Sequence, residues 1–254
     1  MPFISVNDEE LFYAETRSPN AQRTMVLVHG AGENHLVWPV QLRRVEGATV
    51  CALDLPGHGK SGGRGRASVG EYVEVVRGFL DALGVERAVV AGHSMGGAIA
   101  QQFALSHPTR TAGLILVATG AKLRVTPQIL TGILTDAEAT INLVTLFSWG
   151  PNAPEHLVKL GREQLAAESP SIIANDYAAC DVFDVRERLG QITAPTLVVG
   201  GTADQMTPLK YAEFLAARIP GARLAKIEGA GHMVMLEQPE QVAQYVNEFM
   251  TIIP

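Results

Sequence analysis

A serine at position 94 stands in the stretch AGHSMGGA, residues 91–98, among three glycines. The apolar run RAVVAG leads into it and AIAQQFAL follows it, which are the patterns of a buried strand and a helix. A G-x-S-x-G sequence at such a turn exposes the serine hydroxyl, and small residues at Gly92 and Gly96 allow the turn to close. Ser94 is therefore predicted to be a nucleophile. Taken alone, the motif also fits a glycine-rich turn with a capping serine.

A serine hydroxyl is a weak nucleophile, so it needs a base and a group that orients the base. Of the seven histidines, His232 is the candidate base because GAGH follows the last predicted strand. Asp204, in GTADQMTP after the preceding strand, is the candidate orienting carboxylate. The order Ser, Asp, His along the chain fits this arrangement. Two alternatives stay open: a solvent-exposed loop histidine, and an aspartate that caps a helix starting near Pro208.

Attack on a carbonyl group also requires hydrogen-bond donors for the oxygen that becomes negative. The sequence HGAGENHLVW follows the apolar run MVLVH and offers such donors. The backbone N–H groups of Ala31 and Met95 are predicted to form this oxyanion hole. His29 is predicted to brace the loop, and His93 to pack with its side chain turned away from that of Ser94.

The remaining polar motifs predict structural roles. Asp54, His58 and Ser61 in DLPGHGKS are expected to shape a loop through side-chain hydrogen bonds rather than to act in catalysis. Histidine and cysteine residues show no metal-ligand spacing, so we expect neither a metal nor another cofactor. The two cysteines, Cys51 and Cys180, lie far apart and are predicted to be packed thiols in a reducing compartment.

The elements that position these residues follow from eight short apolar runs. The first two, PFISVN and ELFYAE, suit an antiparallel hairpin, and the other six alternate with helical patterns. We therefore predict an α/β fold with a mostly parallel eight-stranded sheet and helices on both faces. About seventy residues of helical pattern interrupt the alternation, too many for one crossover. They predict a helical cap at 121–190, inserted into a core formed by 1–120 and 191–254.

The predicted cap contributes candidates for an apolar substrate pocket. Leu143, Phe147 and Trp149 come from the cap, and Trp38 and Met233 come from the core. Small-molecule sites are mostly apolar, so we expect part of this set to line the pocket. The alternative is that these side chains form the cap's own core.

Composition limits the possible partners. The net charge is −6, with 47% hydrophobic residues and no long run of lysine or arginine, which excludes the basic surface typical of nucleic-acid binding. No signal-peptide pattern and no long apolar window occur, so we expect a cytoplasmic protein without a membrane partner. A small-molecule substrate is favoured, and the sequence leaves the oligomeric state undetermined.

Together, HGAG, DLPGHGKS, GHSMGG, the aspartate of GTADQMTP and the histidine of GAGH resemble the α/β-hydrolase superfamily over nearly the whole chain. The length and cap look like those of small carboxylesterases, enol-lactonases and carbon–carbon bond hydrolases of ring-cleavage pathways. The resemblance implies a cofactor-free Ser-His-Asp triad. Serine at position 94 argues against dehalogenases and epoxide hydrolases, which carry aspartate there.

The resulting hypothesis is a serine hydrolase that cleaves a small, largely apolar ester or lactone through an acyl-serine intermediate. Two alternatives accompany it: a carbon–carbon bond hydrolase, and a ligand-sensing receptor of the same fold with slow turnover. Hydroxynitrile lyases and cofactor-free haloperoxidases resemble the same triad and are not separated from it by the sequence.

Overall fold

A computed structural model describes residues 2–253, and its strands form one sheet. The strands are β1 Phe3–Val6, β2 Glu9–Arg17, β3 Arg23–Val28, β4 Ala48–Leu53, β5 Ala88–His93, β6 Thr111–Val117, β7 Thr196–Gly201 and β8 Arg223–Ile227. Their order is β1-β2-β4-β3-β5-β6-β7-β8, and β2 runs antiparallel to both of its neighbours. All other pairings are parallel. The predicted mostly parallel eight-stranded sheet is confirmed.

Helices cover both faces of the sheet. They are α1 Val40–Arg43, α2 Val69–Ala82, α3 Met95–Ser106, α4 Pro127–Thr135, α5 Ala137–Ser148, α6 Glu155–Ala167, α7 Pro170–Val182, α8 Leu209–Arg218, α9 Val234–Glu237 and α10 Pro239–Met250. Successive strand residues point to opposite faces, so Val90 packs in the core with α2, α3 and α8, and Val89 packs in the core with α1 and α10. Burial on both faces explains the nearly continuous apolar sequence of β5.

Four helices, α4 to α7, lie between β6 and β7, within the predicted cap. The first stretch of helical pattern in this region is divided into α4 and α5. The break lies at Asp136, whose side chain accepts a hydrogen bond from Ala139 N–H at 3.1 Å and caps α5. The division of the chain into separate core and cap units stays a prediction.

The cap helices differ in how firmly they are packed. Ile129 and Ile133 of α4, Val144 of α5 and Ile173 of α7 belong to one buried apolar cluster. Helix α6 contributes no fully buried residue. The cap therefore has an apolar core of its own on three helices and a more exposed fourth helix.

The structure bears on the predictions about the cysteines and about membrane-spanning segments. Cys51 and Cys180 are both buried and not disulfide-bonded. Within residues 2–253, every helix is too short or too polar to cross a membrane.

Candidate active site

The turn between β5 and α3 holds Ser94 in a strained backbone conformation, with φ 51° and ψ −114°. A β-carbon on Gly92 would overlap the backbone of Gly96, and one on Gly96 would overlap the carbonyl oxygen of Val28. Glycine is required at both positions because backbone segments approach each other there. The Ser94 side chain makes no capping hydrogen bond to α3, in contrast to the capping alternative. Strain of this kind persists only where the surrounding structure enforces it.

Neighbouring strands and loops hold this turn in place. Ser94 N–H donates to Val117 O at 3.0 Å, at the end of β6. Thr119 Oγ1 donates to Ser94 O at 2.7 Å. These bonds fix the Ser94 backbone from the side of β6, and Ser94 lines two cavities on the other side of the turn.

Asp204 and His232 meet across the loops that follow β7 and β8. Asp204 Oδ2 lies 2.9 Å from His232 Nδ1 and accepts a bond from Thr207 Oγ1 at 2.8 Å. Asp204 Oδ1 accepts the N–H groups of Met206 and Thr207, each at 2.8 Å. Asp204 therefore stabilises its own loop as well as facing the imidazole. The N-cap of α8, Pro208, receives no side-chain cap, which contrasts with the alternative that Asp204 caps that helix.

Asp204 and His232 each stabilise the charged form of the other. Burial acts to lower the pKa of His232, but the facing Asp204 carboxylate outweighs it, so this pKa lies above its ordinary value. Burial acts to raise the pKa of Asp204, and His232 together with the Thr207 hydrogen bonds brings that pKa below its ordinary value. Asp204 is thus a carboxylate at neutral pH and stabilises a protonated His232.

Ser94 and His232 line the same two cavities, which share part of their walls. The large cavity comprises about 860 Å³ of space, part of it open to solvent, beneath helices α5 and α6. Its apolar walls include Val144, Trp149 and Leu160. The small cavity leads in another direction, and Leu123, Val125 and Cys180 line its walls. The arrangement gives a substrate two directions in which to extend from Ser94.

Of the five predicted pocket residues, Trp149 and Met233 lie on the wall of the large cavity, and the other three do not. Trp38 is buried in the core between the sheet and α1, and Leu36 and Val37 line the cavity in its place. Leu143 packs against the cap's apolar cluster, and Phe147 is partly exposed to solvent. Helix α5 presents a different face to the cavity, formed by Val144, Thr145 and Ser148.

The two predicted oxyanion donors lie on either side of the serine turn. Ala31 lines both cavities, and Met95 is the first residue of α3, whose first N–H groups have no acceptor in the helix. Within residues 2–253, neither backbone N–H donates to another protein group. His29 accepts from Leu55 N–H at 3.0 Å and donates to Gly30 O at 2.8 Å, so it braces this loop from beneath. Burial and nearby His58 lower the pKa of His29 to about 4, which keeps its ring neutral.

Glu33 is a site residue that the sequence reasoning missed. Its carboxylate accepts Gly30 N–H at 2.6 Å and faces His93 Nδ1 at 2.9 Å, and it lines the large cavity. His93 Nε2 lies 3.1 Å from the carbonyl oxygen of His232. His93 is buried, and it connects the loop after β3 with the loop that carries His232. The only sequence signal was an acidic residue directly after HGAG.

Asp176, a buried carboxylate of α7, attaches the cap to the core. Asp176 of α7 accepts Gly32 N–H at 2.8 Å and Tyr72 O–H at 2.6 Å, and it faces His58 Nε2 at 2.8 Å. The other nitrogen of His58 faces Pro56 O at 3.0 Å, so only the doubly protonated ring satisfies both acceptors. Burial acts to lower the pKa of His58, but Asp176 raises it above its ordinary value. One cap residue thus fixes the loop beside Ala31.

The rest of the DLPGHGKS loop is held by Asp54. Its carboxylate accepts the backbone N–H groups of His35, at 2.6 Å, and of Lys60, at 3.0 Å. It also lies 2.8 Å from His35 Nδ1. Ser61 Oγ donates to Asp54 O at 2.6 Å. Asp54 therefore joins its own loop to the segment that follows HGAG. The sequence predicts only hydrogen bonds within the loop itself.

Replacement of Asp176 with alanine is expected to lower the free energy of unfolding by about 3 kcal/mol or more, because it leaves buried His58, Tyr72 and Gly32 N–H without their partner. Chemical denaturation measures the change. The matched control is Asp184→Ala, which removes a half-exposed cap carboxylate paired with Lys122 and Arg186 and should have a much smaller effect. Equal losses in the two variants would contradict this role of Asp176.

No group of three or more histidine, cysteine, aspartate or glutamate side chains in the part of the chain that the structure describes is arranged to hold a metal ion. The described site residues offer a strained serine, a histidine with an ionised partner, and N–H donors.

Comparison with known proteins places this geometry in a family. Residues 25–245 match the model of the alpha/beta hydrolase family. The chain is 31% identical over 242 residues to the pimeloyl-acyl-carrier-protein methyl ester esterase of Aliivibrio salmonicida, covering 89% of this chain and 91% of that protein. It is 30% identical over 258 residues to the 2-hydroxy-6-oxononadienedioate/2-hydroxy-6-oxononatrienedioate hydrolase of Paraburkholderia phymatum, covering 90% and 87%.

Among solved structures, the enol-lactonase from Burkholderia xenovorans superimposes with a TM-score of 0.90 at 25% identity, covering 98% of this chain and 100% of that one. The resemblance inferred from HGAG, GHSMGG and GAGH is therefore confirmed at the level of the family. On the match of residues 25–245 and the shared fold, this chain belongs to the alpha/beta hydrolase family, and it is a hydrolase.

Proposed function

We propose that this enzyme is a serine hydrolase that cleaves small, largely apolar esters or lactones through an acyl-serine intermediate. The observation that carries the proposal is that strained Ser94 opens onto cavities whose walls also contain His232, which Asp204 contacts at 2.9 Å. This is the arrangement of nucleophile, base and orienting carboxylate that acyl transfer requires.

The mechanism follows from the position of each group. Ser94 Oγ attacks the substrate carbonyl carbon while His232 Nε2 takes its proton, and Asp204 stabilises the resulting imidazolium. The carbonyl oxygen becomes negative and accepts hydrogen bonds from Ala31 and Met95 N–H. Collapse of this intermediate expels the alcohol, which receives the proton from His232. Water, activated by His232, then attacks the acyl-serine and releases the acid.

The apolar walls of the large cavity support an aliphatic or aromatic substrate portion of modest size. Similarity to an esterase and an enol-lactonase supports the choice of ester or lactone. Similarity to the dienedioate hydrolase keeps carbon–carbon bond cleavage as the second candidate. The same serine, activated by the same base, would attack a ketone carbonyl in that reaction.

A substrate panel tests the proposal. Purified protein is assayed with p-nitrophenyl esters of increasing chain length, with lactones and with a ring-cleavage dienoate, and a fluorophosphonate reagent is used to label the nucleophile. We expect multiple turnovers on a short ester or lactone, and mass-spectrometric localisation of the label to Ser94. Exclusive cleavage of the dienoate would favour the second candidate. A single slow turnover, with ligand binding that reshapes the cap, would favour the receptor alternative.

The pH dependence of kcat/KM should show an acid limb governed by His232. A protonated imidazole cannot accept the Ser94 proton, so activity should rise with pH, and the raised pKa of His232 places this rise above its ordinary value of 6.5. A pH-stat assay with a methyl ester avoids a chromophore that itself titrates. Activity that increases towards acid pH would contradict the assignment of His232 as the base.

A further inference from the structure

A group of cations surrounds a surface opening that adjoins the site. Lys122, Arg124, Arg186 and Lys210 line it, together with Tyr211, and we name this opening the basic mouth. We infer that the basic mouth binds an anionic group of the substrate, so that the enzyme acts on esters or lactones that carry a carboxylate or a comparable anion. This inference rests on the proposed function.

The basic mouth shares two lining residues with the small cavity that contains the catalytic groups. Arg124 and Tyr211 line both the mouth and the small cavity, and Ser94 and His232 line the small cavity as well. A substrate with its carbonyl at Ser94 can therefore direct one end along the small cavity towards Arg124.

The charges of the basic mouth are only partly neutralised. Asp184 pairs with Lys122 and Arg186, at 2.8 Å each, and leaves one positive charge among the three. Among residues 2–253, Arg124 and Lys210 make no ion pair, although the chain as a whole carries a net charge of −6. The nearby Asp181 carboxylate, which accepts Val125 N–H at 3.1 Å, and Glu187 beside Arg186 each offset one further positive charge. An excess of positive charge thus remains at the end of the small cavity.

The walls of the small cavity indicate what precedes the anion. Leu123, Val125 and Cys180 offer apolar surface between Ser94 and Arg124, and burial raises the pKa of the Cys180 thiol, so this side chain is neutral. The matching ligand has a reacting carbonyl, a short apolar spacer and a terminal anion. The planar guanidinium of Arg124 suits a carboxylate or a phosphate, both of which accept two parallel hydrogen bonds.

Equilibrium binding to full-length Ser94→Ala protein tests the inference without turnover. Calorimetry compares monomethyl esters of succinate, glutarate and adipate with the uncharged dimethyl esters. Methyl esters with a terminal phosphonate separate a carboxylate preference from a phosphate preference. We expect at least one half-ester to bind about tenfold or more tightly than its diester, and this ratio to fall as salt is raised. Tighter binding of either anion supports the inference.

Variants assign the effect to the basic mouth. Arg124→Gln combined with Lys210→Gln, in the Ser94→Ala protein, should reduce the ratio of half-ester to diester affinity about tenfold. Lys159→Gln is the matched control, because it removes a highly exposed charge of α6 that lies outside both cavities. Half-esters that bind no more tightly than diesters, or a ratio lowered equally by Lys159→Gln, would overturn the inference.

The two proposals fail in different ways. If the wild-type enzyme hydrolyses neutral esters while half-esters gain no affinity, the anion site is wrong and the serine hydrolase stands. If no ester or lactone is hydrolysed but the half-esters gain affinity that Arg124→Gln with Lys210→Gln removes, the anion site stands and the proposed reaction is wrong.

Discussion

Replacement of Ser94 with alanine is expected to abolish hydrolysis of every ester and lactone that the wild-type enzyme accepts. The nucleophile carries most of the effect of a catalytic triad, which reaches about a million-fold in rate. The oxyanion donors Ala31 and Met95 remain, so only a small residue of catalysis should persist. Steady-state assays of purified protein measure the loss, and circular dichroism with thermal unfolding checks that the fold is retained.

Ser106→Ala is the matched control for this experiment. Ser106 is an exposed residue at the other end of α3, and its hydroxyl accepts a bond from Gln102 at 3.0 Å. Its replacement should leave turnover unchanged. Retention of more than about a tenth of wild-type activity by Ser94→Ala would exclude Ser94 as the nucleophile.

Replacement of Asp204 with asparagine should lower kcat by up to about ten-thousand-fold, with a smaller change in KM. The amide oxygen can still accept Met206 and Thr207 N–H, so the loop should keep its shape. The amide NH₂ would face His232 Nδ1, favour the wrong tautomer and remove the charge that stabilises the imidazolium. Kinetics of Asp204→Asn beside the wild-type enzyme measure the split between kcat and KM.

Asp54→Asn provides the control for a buried carboxylate outside the site. Asp54 faces His35 and Lys60 and lines neither cavity, so this change should lower stability without a selective loss of the chemical step. Nearly full activity of Asp204→Asn, with another carboxylate at the imidazole, would overturn the third member of the triad. The assignments of Ser94 and His232 would stand.

Residues at strand ends were the most predictable part of the site. Ser94, Asp204 and His232 each follow a strand that the apolar pattern reveals, and the carboxyl ends of parallel strands share one edge of the sheet. Local sequence and topology together were therefore sufficient to predict that Asp204 and His232 come together, and the structure places them 2.9 Å apart. Their catalytic roles stay predictions until the kinetic tests are made.

Contacts between distant segments were not predictable in the same way. Asp176 meets Gly32 across 144 positions, and a single aspartate within a helical pattern gives no sign of such a partner. Trp38, Leu143 and Phe147 lie off the cavity wall in the structure, because apolar character does not reveal which face of an element a side chain occupies. Helix orientation in the cap depends on packing that emerges only in three dimensions.

Helix α6 covers the large cavity but contributes no fully buried residue, whereas α7 is attached to the core through Asp176. Separation of α6 from its neighbours breaks the packing of the partly buried Leu157, Val158 and Leu165 and one exposed ion pair, but it uncovers no fully buried side chain of α6. It therefore costs less free energy than unfolding of the whole chain. We expect ligands to enter and leave by a local opening on the α6 side. The rate at which ligands enter and leave the space at Ser94 then depends on this local equilibrium. Helix α7 keeps the loop beside Ala31 in place throughout.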